Sequence, residues 1–368
     1  GMPEYLESVA FGGHTYMHFA PGPSLLCLPF VAIWGVDGFN ISWLSILLGA
    51  GNCALFYRVF RQMGIGRGIR ERFWCTVLAV FGTTHCFLAA IGHSWFLGHV
   101  SGWFFLLLAI VFLTRKSKRL GLDIFLAGLC YGFSVTCRMA NLPGAVFFFG
   151  YILLRHEKRS WLRLLLLFCA GAAIFGGMYM AFDYIRYGTI MDQGYNLTHL
   201  KDLHRDLYNQ LQSLPASEQL AFLKECEKTV GGPLSLSSIP YNLYSIFLLP
   251  PAFSTEFPYI IPTMAGVCLS ITSPALYFAL RADFKKEKLC WFILGAMVLC
   301  ALPFLMNYGN GFAQFGMRYA MDFLPYTLLL AAMGLTRREL TSWKAALILL
   351  CVLVNLWGPV YWNCFYLA

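Results

Sequence analysis

Leu113-Thr114-Arg115-Lys116-Ser117-Lys118-Arg119-Leu120 packs four cations between two apolar runs, at about 98–114 and 121–138. The same punctuation recurs at Arg58/Arg61/Arg67/Arg70/Arg72, Arg155/Lys158/Arg159/Arg163, Arg281/Lys285/Lys286/Lys288 and Arg337/Arg338/Lys344. Twenty of the chain's 27 lysines and arginines thus fall in five clusters. Between successive clusters lie two apolar runs or, once, two runs flanking a long polar segment. An even number of crossings returns a chain to the side it left, so all five clusters share one side. The bias of Lys and Arg toward the cytoplasm says which. The pattern predicts an all-α, polytopic bundle of transmembrane helices.

Composition agrees. The chain is 58% apolar and 17% aromatic, with 12% charged residues and a mean hydropathy of +0.62. A soluble domain carries about 25% charged residues. The net charge of +9 is the sum of cytoplasmic flanks and argues for a bilayer partner, not a nucleic acid. The 13 cysteines are scattered through apolar runs without CxxC or Cys/His ligand spacing, so they read as small buried hydrophobes.

A span needs about 20 apolar residues. Ten are expected, at about 41–60, 73–91, 98–114, 121–138, 141–154, 162–182, 262–280, 289–306, 320–336 and 345–363. Residues 1–38 form an outer juxtamembrane region. Within it Ser24–Trp34, opened by Pro21-Gly22-Pro23, is too short to cross and is expected to lie at the outer interface. The polar segment at about 184–261 is an outer cap inserted in the single membrane domain. Its leucines at 197, 200, 203, 207, 211 and 214 predict an amphipathic helix stopped by Pro215, and Ser217 is placed to cap a second. Residues 240–262 alternate prolines with aromatics and predict an irregular surface stretch. The first residues carry Glu4, Glu7, His14 and His18 and no basic flank, unlike a signal peptide. By parity they start outside, so a spanning helix is expected upstream of Gly1.

Two arginines break the positive-inside pattern, Arg138 and Arg318, each at the outer end of an apolar run. A cation there has a partner or a task. A guanidinium at that depth suits a phosphate, while Arg138 has lipid headgroups or Asp183 as structural partners. Arg318 has Asp322 one helical turn on, an intrahelical pair by default. His93 and His99 bracket an outer turn at a spacing that suits metal or proton transfer, or a hydrogen-bonded structural role. His14 and His18 precede the Pro21 motif and rank beside His93, whereas His85 reads as core. Asp183 and Arg186 read as a local pair. No nucleotide-binding loop or metalloprotease motif is present.

Three segments in order carry a resemblance: Tyr16-Met17-His18-Phe19-Ala20-Pro21-Gly22-Pro23-Ser24-Leu25-Leu26, Gly128 through Thr136-Cys137-Arg138, and Phe315-Gly316-Met317-Arg318-Tyr319 through Pro325. They resemble the GT-C membrane glycosyltransferases, and within them the bacterial protein O-mannosyltransferase, aminoarabinose and galacturonic acid transferase group. The resemblance implies transfer of a sugar from a polyprenyl-phosphate donor to a lipid, glycan or protein acceptor at the outer face of a bacterial inner membrane. It implies donor-phosphate contacts from Arg138 and Arg318, and substrate contacts from His18, Pro21, His93, His99, Tyr319 and Asp322. Two departures stand out. No aspartate precedes Pro21, so the catalytic carboxylate is expected upstream of Gly1, with Glu4 and Glu7 the acids available here. His18-Phe19 also replaces the lysine that relatives often carry before the proline motif. No cofactor is expected, and a divalent metal has no motif to hold it. The competing readings are a transporter or lipid flippase, whose charges sit nearer the midplane, and a catalytically silent scaffold of the same fold.

Overall fold

The computed structural model describes residues 7–366 and is built mainly of helices. Glu4 lies outside the described residues. The chain enters through a hairpin, β1 (Ser8–Phe11) and β2 (His14–Met17), antiparallel with Ser8 opposite Met17. Gly12 and Gly13 form its two-residue turn at φ 60° and 78°, because this turn needs positive φ at both positions. Four-residue strands are too short to announce themselves by alternation, and the helical expectation missed them.

α1 (Gly22–Gly38) starts on Pro21 and leaves Leu28, Ile33, Trp34 and Val36 exposed, the apolar face an interfacial helix needs. α2 (Ile41–Gln62) is followed by α3 (Ile69–Val80) and α4 (His85–Ile91), which together fill the run at 73–91 but bend by 62°. The break at 81–84 contains Gly82, whose carbonyl accepts from Ser273 Oγ at 2.8 Å, while Thr83 Oγ1 donates to Ala79 O at 2.8 Å. Neighbouring groups thus satisfy backbone that the bend frees.

α5 (Ser94–Thr114) is mostly enclosed by other helices, and α6 (Leu120–Cys137) packs on it. A 3-10 segment, Met139–Gly144, leads into α7 (Ala145–Arg155), and α8 (Trp161–Tyr187) runs along the outside of the bundle. α6 and α8 meet through glycines. A Cβ on Gly132 would stand 2.6 Å from Ala172 O, one on Gly171 2.7 Å from Leu129 N, and one on Gly128 would collide with Phe168 O. Small residues at such a crossing let the backbones touch, the contact available to helices without a hydrophobic drive.

The cap differs from expectation in its details. The leucine pattern makes two helices, α9 (Gly194–Leu203) and α10 (Arg205–Ser213), because His204 departs from helical backbone (φ −135°, ψ 55°). α11 (Ala216–Val230) begins after Pro215 and not at a Ser217 cap, and ends at Gly231 with φ 82°. The aromatic stretch starts with a helix, α12 (Ile239–Phe247), before the two-residue strands β3 (Ala252–Phe253) and β4 (Ile260–Ile261). The 262–280 run is not one helix. It holds α13 (Leu269–Thr272) and a 3-10 segment, Pro274–Arg281, whose Ser273-Pro274 start breaks continuity.

α14 (Leu289–Met306) and a 3-10 turn, Arg318–Asp322, precede α15 (Leu324–Thr336) and α16 (Ser342–Tyr361). Among the described residues six helices, α2, α5, α6, α8, α14 and α16, are long and apolar enough to cross a bilayer, and α3–α4 makes a seventh if counted as one. The chain is a helical membrane protein. The bundle has its own core. A second core joins Val9 and Phe11 of the hairpin to Tyr187, Leu197, Leu200, Tyr208, Leu211, Leu223 and Cys226. Tyr208 Oη and Gln212 Nε2 bond the backbone N–H and carbonyl of Ala10, each at 2.8 Å, which fixes the hairpin to the cap.

Candidate functional site

Arg138 is where α6 stops: its backbone turns extended (φ −149°, ψ 106°). Gly98 and Gly102, one turn apart on α5, face its side chain at contact distance. A Cβ at Gly98 would lie 3.6 Å from Arg138 Cδ, and one at Gly102 3.4 Å from Cγ. The guanidinium then grips Asp322 with both arms, Nη2 donating to Oδ2 at 2.7 Å and Nε to Oδ1 at 3.0 Å. Asp322 is 2% exposed, so this is a desolvated, bidentate pair. His99 Nδ1 lies 3.4 Å from Asp322 Oδ1, an electrostatic neighbour at the limit of hydrogen bonding.

This overturns two structural readings of the arginines. Asp322 does not pair with Arg318, because residues 318–322 form a 3-10 turn that carries the carboxylate inward to α6. Asp183 does not reach Arg138 either, since it holds Arg186 at 2.6 Å, the local pair read from sequence. Arg186 also lies against the Phe182 ring at 3.9 Å. His93 and His99 do not form a pair. Six residues on a helix place them far apart in azimuth, and the His93 ring packs on Trp95 and Phe96 instead. His85 is core as expected: it accepts from Asn52 Nδ2 at 3.0 Å and stacks on Trp103.

Arg318 has a different surrounding. Among the described residues no carboxylate lies within salt-bridge distance of it. Its guanidinium sits over the rings of Trp95 and Tyr319, each at 5.1 Å, and Nη1 donates to Phe312 O at 3.3 Å. Its backbone N–H donates to Gln314 Oε1 at 3.2 Å, and Gln314 Nε2 donates in turn to Ala265 O and Asn310 O. Tyr319 joins the two arginines, lying 5.6 Å from the Arg138 guanidinium and stacking on Phe304.

The entrance hairpin brings the remaining groups. Trp95 Nε1 donates to Glu7 Oε2. Burial pushes the Glu7 carboxyl above its usual range, against the opposing pull of that bond and of the Arg318 charge. His18 Nδ1 donates to Glu7 O at 3.0 Å, and its ring packs on Phe19 and Tyr195. Burial holds His18 below the usual imidazole range. Asp192 lies close by and is raised by burial, with Gly194 N–H donating to it at 2.8 Å. Pro21 caps α1, and the following Gly22 lies so close to Thr136 and Cys137 that a Cβ would come within 2.7 Å. The proline motif is thereby pressed against the end of α6 beside Arg138.

Glu7, His18, Pro21, His99, Arg138, Arg318, Tyr319 and Asp322 therefore gather at one end of the bundle, with His93 at its edge. Trp95, Tyr195 and Gln314 belong to the same place and were not singled out from sequence. Among the described residues, no group of three His, Cys, Asp or Glu side chains is arranged to hold a metal ion. Chemically, among the described residues, the site offers one cation paired with a carboxylate, one cation under aromatic rings with no carboxylate within salt-bridge distance, and one carboxyl raised by burial. Comparison of the chain with protein-family models, curated proteins and solved structures returns no match.

Proposed function

We propose that the chain is a membrane glycosyltransferase. It would move a sugar from a polyprenyl-phosphate donor to a lipid, glycan or protein acceptor at the outer face of a bacterial inner membrane, on a GT-C-like bundle. The observation that carries the reading is Arg318: a guanidinium with no carboxylate within salt-bridge distance among the described residues, set beside Trp95, with the Glu7 carboxyl on the far edge of the same indole. In this reading the acceptor hydroxyl oxygen bonds to the anomeric carbon as the bond from that carbon to the phosphate oxygen breaks. Glu7 takes the hydroxyl proton, the role a general base needs. Arg318 meets the charge that gathers on the departing phosphate, and the rings of Trp95 and Tyr319 offer faces to a sugar. Arg138 holds Asp322 and shapes the floor. The aromatic stretch from α12 to β4 would cover the acceptor path.

The closed Arg138–Asp322 pair favours a second reading, a silent scaffold of the same fold, since the resemblance assigns Arg138 to the phosphate. Release of free polyprenyl phosphate separates the two readings without knowledge of the acceptor. Membranes holding the protein are given a panel of polyprenyl-phosphate hexoses, aminopentoses and hexuronic acids. Turnover by the wild type, reduced about 100-fold or more in Arg318→Ala and in Glu7→Gln, is the expected result; it corresponds to roughly 3 kcal/mol of barrier. Turnover unchanged in both variants removes the site assignment, and no turnover with any donor favours the scaffold.

A further inference from the structure

At the opposite end of α6 and α8 their N-terminal turns line a half-open recess of about 420 Å³, remote from the outer site. Lys118, Arg119 and Arg163 line it together with Leu120, Leu122 and Leu164. Two neighbouring cations have carboxylate partners: Arg115 lies 3.6 Å from Asp123, and Arg155 2.7 Å from Glu287. Among the described residues, Lys118, Arg119 and Arg163 have no carboxylate within salt-bridge distance. Three uncompensated charges thus converge on a concave space whose size falls within the roughly 300–1,000 Å³ of small-ligand sites.

We propose that this cavity binds the headgroup of an anionic phospholipid. Guanidinium groups match phosphate oxygens in a fork that a lone ammonium lacks, and basic recesses between spanning helices are suited to such headgroups. A free phosphate would meet the same cations, but the other wall of the cavity is leucine. Leu122, Leu162 and Leu166 continue outward from it, 49%, 70% and 59% exposed. That apolar track gives acyl chains a place to lie and commits the site to a lipid. None of this depends on the sugar-transfer reading.

The test uses the purified full chain in detergent, titrated with phosphatidylglycerol or phosphatidylcholine and read by native mass spectrometry. Phosphatidylglycerol should be retained in preference. Its affinity should fall at least roughly tenfold in K118A/R119A/R163A and stay within about twofold of wild type in K285A/K286A/K288A, which removes equal charge from another basic cluster. Equal loss in the two triple variants, or no preference for phosphatidylglycerol, would overturn the site. Full displacement by millimolar inorganic phosphate would overturn the lipid and leave a phosphate site. Should the triple variant elute as aggregate, Arg163→Gln alone must still weaken binding about threefold or more for the proposal to stand.

Discussion

Arg138 and Arg318 stand at the same end of the bundle and share Tyr319 as a ring partner, yet their surroundings are opposite. Arg138 is clamped in two hydrogen bonds to an almost inaccessible aspartate, while Arg318 meets a carbonyl and two aromatic faces. One cation is a strut; the other, among the described residues, has no carboxylate within salt-bridge distance and can answer an anion. The difference comes from tertiary placement of one carboxylate. Asp322 lies four residues from Arg318 in sequence and 184 from Arg138, and the 3-10 turn gives it to the distant one.

The largest effect should come from breaking the strut. Asp322→Asn leaves the Arg138 charge enclosed without its counter-ion, and removing one partner of a buried pair destabilises by about 3–5 kcal/mol. Arg138→Met combined with Asp322→Leu removes both charges and should be less destabilised than Asp322→Asn alone. Thermal unfolding in detergent reads the order. If the double variant were the weaker, Arg138 would have other partners and the contrast with Arg318 would dissolve.

A smaller effect should follow at Arg318. Trp95→Phe keeps a ring under Arg318 but removes the N–H that Glu7 accepts, a bond to a charged group worth about 1.5–3 kcal/mol. The Glu7 carboxyl already lies above its usual value because burial disfavours its anion, and the indole bond pulls the other way. Losing that bond raises it further. Any rate that needs Glu7 ionised should therefore show its acid limb at higher pH in Trp95→Phe than in wild type. A pH–rate profile that does not move would remove Glu7 from the role of base.

The bundle was legible because long apolar runs and the basic clusters between them are local signals. α2, α5, α6, α8, α14 and α16 all fall where those signals lie. The 262–280 run misled, since hydropathy counts apolar residues but does not register the backbone break at Ser273-Pro274. The candidate site was half legible. Arg138 and Arg318 betrayed themselves by standing on the wrong side for their charge, and His18 and Pro21 by the motif around them. Trp95, Tyr195 and Gln314 carry no such anomaly; an aromatic at membrane-interface depth is ordinary until the fold sets an arginine or histidine on its face. The hairpin that brings Glu7 into reach depends on Gly12-Gly13, a turn signal that gains meaning only once the cap offers Tyr208 and Gln212 to its strands.

The faintest test of the comparison lies at its margin, in His18, which tethers the Glu7 backbone and feels both the Arg318 charge and the cap acids. Burial, aided by Arg318 and opposed by the bond to Glu7 O and by Asp192 and Asp202, holds its imidazole below 6.5. As pH falls from 6.5 toward that lowered value, the unfolded chain takes up the proton first, so His18 subtracts stability as the medium acidifies. Asp192 acts with the opposite sign. Its carboxyl is raised from 3.8 by burial, so the folded chain holds that proton more tightly, and stability declines as pH rises from 3.8 through the raised value. In the wild type these two slopes add to those of its other shifted groups. His18→Gln keeps a donor for Glu7 O but removes one titration. The acid-side loss between pH 6.5 and the lowered imidazole value should flatten in unfolding curves relative to wild type. An unchanged acid slope would mean that His18 is solvated in the folded protein, and that the hairpin does not seal the Arg318 side of the site.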